Sequence, residues 1–499
     1  MAARLAVVAE RVTKPDLVVG VDMATAEVRA LAMDEYGQVR AQSRQPLPPP
    51  TSPRPGWSEQ DAGSWWPAVA TALAEVTRTV SRLGRVVAVS VCATSGTVVA
   101  VDRHGEPIGP ALTYADQRAV AEAEVAQAAG ADRWAALGLR VQASFGLPKW
   151  AWLVADRGSA VAGLGHASDV VVGRLVAGGG VGGVGGDPVP TDWSHALKSG
   201  FDPRRQEWAM EAMDALGIRS DLLPEVRRPT EIAGLVGREA AADTGLPIGC
   251  EVRLGMTDAC ASQLAAGAGA PGQFMSVLGS TLVLKGASRE LVVDPSGAVY
   301  SHRHPDGWWL PGGASNTGGR ALVEGFPGRD PAELDALAAG HGPATWVTYP
   351  LVGRGERFPF VAPEAEGFMI GEPASEADHV RAVLEGVAFV ERLGYERLAG
   401  LGAVARRSIV VTGGGSRSPV WNRIRATVLG LPLLAMPGAS TAWGACLLAA
   451  AGSLHPGLTA MAMSPPFEVV QPDPDQSDSM DANYDRFRSA LADRGWLPN

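Results

Sequence analysis

The sequence predicts an α/β protein built from two halves of similar architecture. Apolar, β-branched runs alternate along the chain with segments of helical periodicity. A second observation points to the halves. One pattern, a strand followed by a small polar turn and a returning strand, opens near Asp16 and recurs beyond Pro271. The length of 499 residues is enough for about two to four domains.

The elements justify this in order. Residues 16–21 read as a buried strand, because the run from Leu17 is apolar and β-branched. Asp22-Met23-Ala24-Thr25 is the polar turn, residues 27–33 alternate loosely as a returning strand, and Asp34-Glu35-Tyr36-Gly37 is the next turn. Trp65, Val69, Leu73 and Val76 form a stripe at helical spacing within residues 62–83. Residues 86–91 read as a strand running into Cys92-Ala93-Thr94-Ser95-Gly96-Thr97, and residues 98–101 stay extended up to a turn at His104-Gly105. The recurrence lies at residues 274–285, where Gly279-Ser280-Thr281 separates two apolar runs. Residues 376–401 predict a long helix with Val380, Leu384, Val387 and Ala388 on one side. Residues 409–412 predict a strand ending in Gly413-Gly414-Gly415. The glycine-rich residues 178–186 and the Asp-, Pro- and Ser-rich residues 471–480 are expected to be surface loops.

Composition narrows the function classes. At 46% hydrophobic and 19% charged, the chain can bury large cores. A formal net charge of -10 argues against nucleic acid or an anionic membrane as the main partner, and leaves room for a local basic pocket for a small phosphate. The four cysteines, Cys92, Cys250, Cys260 and Cys446, have neither C-x-x-C nor zinc-type spacing, so reduced thiols in a cytoplasmic protein are expected. The apolar stretch in residues 1–14 is broken by Glu10 and Arg11, too short and too charged for a signal peptide. No run of about 18 apolar residues is present to span a membrane.

Three turns could carry chemistry. Asp22 ends a buried strand and is followed by small residues and the Thr25 hydroxyl, a pattern that lets a carboxylate hold Mg²⁺ while hydroxyl and backbone N–H groups receive phosphate oxygens. An ordinary hairpin turn gives the same pattern. Asp258, in Gly255-Met256-Thr257-Asp258-Ala259, precedes an apolar helical stretch. It reads either as a helix N-cap or as a general base at the mouth of a cleft, and the two roles are compatible. Gly413-Gly414-Gly415-Ser416, with Trp421 and Asn422, would let a flat ligand lie against backbone, or be only a tight strand-to-helix turn. There is no G-x-x-x-x-G-K-[ST] and no dinucleotide fingerprint, so a nucleotide would have to bind by another fold.

Taken together, ordered motifs over nearly the whole chain resemble the FGGY carbohydrate kinases. Gly20-Val21-Asp22-Met23-Ala24-Thr25 resembles the first phosphate motif of that family, and Gly56-Trp57-Ser58-Glu59-Gln60-Asp61 with Trp65-Trp66 an early N-domain motif. Tyr114-Ala115-Asp116-Gln117-Arg118, Lys149-Trp150-Ala151-Trp152-Leu153 and Thr191-Asp192-Trp193-Ser194 resemble three further elements. The Asp258 segment resembles the one bearing the catalytic aspartate, Gly279-Ser280-Thr281 the second phosphate loop, and the Gly413–Trp421 region the adenosine site. Tyr300-Ser301-His302-Arg303, Gly312-Gly313-Ala314-Ser315-Asn316-Thr317-Gly318-Gly319 and Gly355-Glu356-Arg357-Phe358-Pro359 are similar to plant and cyanobacterial members that phosphorylate D-ribulose, whereas the N-terminal motifs are more similar to xylulokinases. The chain departs from the family pattern at Ala24, where glycine is usual, at Ser418, where Asn is frequent, and at Ala439, where many members have Glu. A β-carbon at Ala24 is expected to crowd the phosphate turn or alter its φ.

The resemblance implies two ribonuclease-H-like domains of the actin and hexokinase type around a cleft: residues 16–267 on the sugar side and residues 268–465 on the nucleotide side. It implies transfer of the ATP γ-phosphoryl group to the terminal hydroxyl of a ketopentose, D-ribulose giving D-ribulose 5-phosphate. A xylulokinase or other polyol or ketose kinase is the alternative, and a non-catalytic sugar or nucleotide sensor the second. Asp258 is the implied base, with Asp22 holding Mg²⁺ and Thr25 the phosphates. Thr94, Ser95 and Asp258 are implied to touch the sugar. Thr25, Gly279, Ser280, Thr281, Gly318, Gly414, Gly415, Ser418 and Trp421 are implied to bind the nucleotide. ATP and a small sugar are the expected partners, and the sequence is compatible with a homodimer.

Overall fold

The computed structural model describes residues 14–176, 189–458 and 463–497. Two mixed sheets organise it. The first has the order Ile232–Leu235, Glu251–Arg253, Arg85–Ala93, Asp16–Met23, Glu27–Asp34, Val39–Pro46. The second has the order Tyr300–Arg303, Trp309–Ser315, Leu282–Gly286, Phe274–Leu278, Ile409–Thr412, Leu433–Ala435, Glu468–Val470. In each, an antiparallel meander continues into two parallel strands and closes on an antiparallel edge. Asp16–Met23 and Phe274–Leu278 hold equivalent places, so the recurrence in the sequence is a duplication of topology.

The predicted helices form where their apolar stripes place them. Trp65–Val80 buries Trp65, Val69, Leu73 and Val76 against the first sheet. Glu376–Gly400 is capped by Ser375, whose hydroxyl accepts from the Asp378 N–H, and its middle is buried on nearly all sides in the second core. The glycine-rich residues 178–186 lie outside the described residues.

Residues 471–480 do not form the expected loop. Pro474–Asp493 is a helix, with Asp473 accepting from the Asp475 N–H as its cap and proline in the first turn. Its face of Met480, Tyr484, Phe487 and Leu491 completes the second core, beyond residue 465. The Asp-Pro pair that suggested a loop is a helix start.

A third core lies between the units. The helix Thr441–Ala450 lies in sequence between Leu433–Ala435 and Glu468–Val470 of the second sheet but packs on Val18, Leu31 and Cys92 of the first sheet, and on Cys260, Ala261 and Leu264 of the helix Asp258–Ala265. The approach is close enough to require glycine: a β-carbon at Gly444 would sit 1.9 Å from the Ala261 carbonyl oxygen. Thus the helix bearing the expected base is seated by the opposite unit.

Candidate active site

A cavity of about 510 Å³ opens between the units. Ala24, Thr25, Thr94, Ser95, Thr257 and Asp258 line it from the first unit; Val283, Lys285, Tyr300, His302 and the Gly312–Ala314 backbone line it from the second. The implied sugar contacts Thr94, Ser95 and Asp258 therefore meet in one place.

Asp258 is the first residue of the helix Asp258–Ala265, and Thr257 occupies the N-cap position. The N-cap reading of Asp258 is thus displaced by one residue. One carboxylate oxygen accepts from the Ala259 N–H at 2.7 Å, which leaves the other free to face the cavity. Gly255 makes the preceding turn possible: its φ is +91°, and a β-carbon there would lie 2.0 Å from the Val91 carbonyl oxygen. The Thr257 N–H donates to the Ser194 hydroxyl at 2.9 Å, and Asp192 in turn accepts from the Ser194 N–H and hydroxyl and pairs with His195. Burial alone would raise the Asp192 pKa, but the charge and hydrogen bond of His195 hold it below the usual carboxylate range. The Thr191-Asp192-Trp193-Ser194 motif is thus the anchor of the helix start.

Asp22 is buried at the end of the strand Asp16–Met23. Its Oδ2 accepts from Arg29 at 3.3 Å, while Oδ1 is buried without a protein partner. Burial pushes its pKa up to about 7 against the opposing charge of Arg29, with Asp258 and Glu27 adding to the rise. A buried carboxylate oxygen with no donor fits a cation, and the donor set suits Mg²⁺ bound through one carboxylate with water and phosphate oxygens. Among the described residues no three His, Cys, Asp or Glu side chains cluster as a metal cage, which that mode of binding does not need.

Thr25 is held by its backbone: its carbonyl accepts from Gln60 Nε2 at 2.8 Å, and Trp65 Nε1 donates to Gln60 Oε1 at 3.1 Å. Lys149 Nζ donates to the carbonyls of Gly96 and Thr113 at 2.6 and 2.9 Å, so it ties the Ser95 turn to the segment bearing Tyr114. Burial lowers the Lys149 pKa to about 7. Arg118 lies between the rings of Trp57 and Trp152 and pairs with Glu59 and Asp116. Gln60 and Lys149 thus brace the turns that bring Thr25, Ser95 and Tyr114 to the cavity.

Ala24 does not have the strained backbone expected of it. Among the described non-glycine residues only Gln206 has a positive φ, and the Ala24 N–H donates to the Glu27 carbonyl at 3.1 Å. Ala24→Gly is therefore expected to leave kcat within about threefold of wild type. It should lower stability by about 0.4–1 kcal/mol through unfolded-state entropy. Paired kcat and melting measurements check this; a tenfold change in kcat would show that the methyl group shapes the phosphate turn.

A second cavity, of about 570 Å³, lies within the second unit. It contains Gly279, Ser280, Gly414, Gly415, Ser418 and Trp421 of the implied nucleotide set, joined by Gly319, Arg320, Asp335 and Arg417. Gly318 and Thr281 do not line it. Gly318 packs on the Thr281 and Ser280 backbone, and the next N–H, of Gly319, donates to the Gly279 carbonyl at 2.8 Å. Trp421 is buried, with Nε1 donating to the Leu384 carbonyl at 3.0 Å, so it offers only a rim to a ligand. Ser418 caps the helix Pro419–Leu429 and donates to Asp335 at 2.8 Å. Thr25 is on the other cavity. The hairpin Phe274–Leu278/Leu282–Gly286 connects the two sites, with Ser280 in its turn on one cavity and Val283 and Lys285 of its returning strand on the other.

Residues 17–265 match the model of the FGGY carbohydrate kinase N-terminal domain, and residues 272–453 that of the C-terminal domain. The chain belongs to the FGGY family of carbohydrate kinases. It is accordingly a phosphotransferase whose substrates are ATP and a small sugar or polyol. It is 28% identical over 422 residues to the xylulose kinase of Streptomyces rubiginosus, covering 82% of each chain. It is 27% identical over 435 residues to the glycerol kinase of Gloeobacter violaceus, covering 83% of this chain and 84% of the relative. The xylulose kinase structure from Rhodospirillum rubrum superposes with a TM-score of 0.83 at 29% identity, over 95% of this chain and 98% of that one. A xyloylose kinase structure from Brucella ovis, at 24% identity and a TM-score of 0.87 over 97% and 100% of the two chains, shares the fold. These matches establish the two-domain architecture expected of the family.

Lys198 and Lys285 are on the first cavity, between the units, but are not among the site residues expected from the sequence. The only signal for them was their proximity to recognised motifs, Lys198 four residues beyond Ser194 and Lys285 four beyond Thr281. Gln60 and Lys149 were inside recognised motifs without a role.

Proposed function

We propose that this protein transfers the ATP γ-phosphoryl group to the terminal hydroxyl of an open-chain ketopentose. The observation that carries this reading is Asp258, placed at a helix start on a cavity lined by hydroxyl and backbone groups. Asp258 takes the proton of the terminal hydroxyl as its oxygen forms a bond to the γ-phosphorus; the bond from that phosphorus to the bridging oxygen breaks and ADP leaves. Thr94 and Ser95 orient the sugar, and the buried Ser95 hydroxyl, without a protein partner, is available to it. Asp22 is the residue that would hold Mg²⁺, with Thr25 beside the phosphates. When bound, the cation offsets charge on the transferring group. Gly279–Thr281 and Gly318 form the second phosphate turn, and Gly414, Gly415, Ser418 and the rim of Trp421 receive adenosine. Closure of residues 16–267 over residues 268–465 would exclude water from the acceptor hydroxyl. Four free, buried cysteines fit a reducing compartment, the cytoplasm.

D-Xylulose is the acceptor favoured by the names of the relatives. D-Ribulose is favoured by a different observation: Tyr300, His302 and Gly312–Ala314, from segments similar to D-ribulose kinases, face the acceptor cavity directly. A panel of D-xylulose, D-ribulose, xylitol, ribitol, gluconate and glycerol with coupled ADP detection tests the reading. One of the two ketopentoses should give the highest kcat/KM. A higher value for glycerol or gluconate would overturn it.

A further inference from the structure

The acceptor cavity carries more positive charge than proton abstraction by Asp258 requires. Lys285, on the returning strand of the second unit, is only 7% exposed. Its hydrogen-bond partner is the Cys260 thiol, at the long distance of 3.7 Å. Lys198, from the first unit, lies over the rings of Phe145 and Tyr300 at 5.3 and 5.1 Å. Among the described residues neither lysine forms an ion pair. Both act on Tyr300: burial would raise its pKa, but the two ammonium charges, together with a hydrogen bond to Lys198, bring it below the usual value. His302 Nε2 is buried beside them without a partner, and burial and the same two charges keep that ring neutral.

An ammonium group only donates hydrogen bonds. A hydroxyl placed between two such donors can accept from them, but its own hydrogen then needs a separate acceptor. A carbonyl oxygen has two lone pairs and no hydrogen, so it satisfies this wall outright. His302 Nε2 can then accept from a neighbouring hydroxyl. We propose that Lys285 and Lys198 are specificity-determining residues that receive the carbonyl oxygen of an open-chain ketose, remote from the hydroxyl that Asp258 deprotonates, so that the site prefers a ketose to the corresponding polyol. This rests on the ketopentose reading above and adds to it the part of the sugar that is recognised and the residues that recognise it. Lys198 and Lys285 come from different units, so the carbonyl is gripped by both only where both units line the cavity.

The test is kcat/KM for D-xylulose, D-ribulose, xylitol, ribitol, D-xylonate and glycerol, in wild type, Lys285→Met and Lys198→Met. The wild type should prefer the better ketopentose over its own pentitol by about tenfold to hundredfold, the range of a hydrogen bond to a charged group. Each variant should lower that ratio at least about tenfold, because the ketose loses more than the pentitol does. Should Lys285→Met fail to fold, the less buried Lys198→Met carries the test alone. Equal losses on ketose and pentitol would show that the lysines only support the fold, and would overturn the proposal. So would a higher kcat/KM for D-xylonate than for either ketopentose, since the wall would then be reading a carboxylate. If no ketopentose is turned over and glycerol is, the ketopentose reading itself fails, and the proposal with it.

Discussion

Asp258→Asn is expected to lower kcat/KM for the sugar by about 10²–10⁴-fold, the range in which a general base contributes. The variant should fold. Asn keeps an oxygen able to accept from the Ala259 N–H, the contact Asp258 makes at 2.7 Å. What it loses in stability is the attraction of a carboxylate for the helix N-terminus, about 0.3–1 kcal/mol. Sugar KM should change little, because Asn still hydrogen-bonds a hydroxyl, so the loss falls on kcat. Steady-state kinetics with a melting curve separate the outcomes. Activity within a few-fold of wild type in a folded variant would remove Asp258 from the chemistry.

Asp22→Asn should have an effect of similar size on turnover and the opposite effect on stability. Asp22 titrates at about 7 in the fold against an ordinary value of 3.8, and burial is the main cause. A raised pKa means that the protonated form is favoured in the fold. The stabilisation is present in full below about pH 4 and is lost as pH rises through about 7. A rise of that size corresponds to a loss of about 4 kcal/mol at the alkaline end. Asn carries no proton to lose. Free of nucleotide, wild type should therefore lose melting temperature relative to Asp22→Asn between about pH 4 and 7, and hold a constant difference above that. In catalysis the ionised carboxylate is the useful form, because it is the one that can hold a cation. The variant should lose at least about hundredfold in kcat/KM for Mg·ATP, and the wild-type KM for Mg·ATP should rise as pH falls below about 7. Parallel melting curves for the two proteins across that pH range would contradict the raised pKa. Near-normal turnover would contradict the role.

These two aspartates were legible in the sequence because each ends a strand or opens a helix next to residues of unambiguous periodicity. Asp22 follows an unbroken apolar strand, and Asp258 precedes an apolar helix. The duplicated sheets were legible for the same reason: period-two and period-3.6 patterns are local. What was not legible depends on distance along the chain. Gln60 supports Thr25 from 35 residues away. Ser194 holds the Thr257 N–H from 63 residues away, and Lys149 ties the Gly96 and Thr113 turns together from 53 and 36. No periodicity encodes such contacts. The helix Pro474–Asp493 was misread for a local reason. Its first turns are Asp-, Pro- and Ser-rich, and only the later face of Tyr484, Phe487 and Leu491 reveals where it docks.

The helix Thr441–Ala450 limits how this chain can be dissected. Severed between Ala265 and Phe274, the N-terminal piece would leave Val18, Leu31, Met33 and Cys92 without the helix that covers them. The C-terminal piece would carry an apolar rod with nothing to cover it. The two pieces are therefore folding partners rather than interchangeable modules. A chimera that takes its nucleotide half from a relative has to import a matching rod, with a residue no larger than glycine where Gly444 meets Ala261. Acceptor preference and nucleotide preference can be recombined between relatives only when this seam is transplanted as a unit.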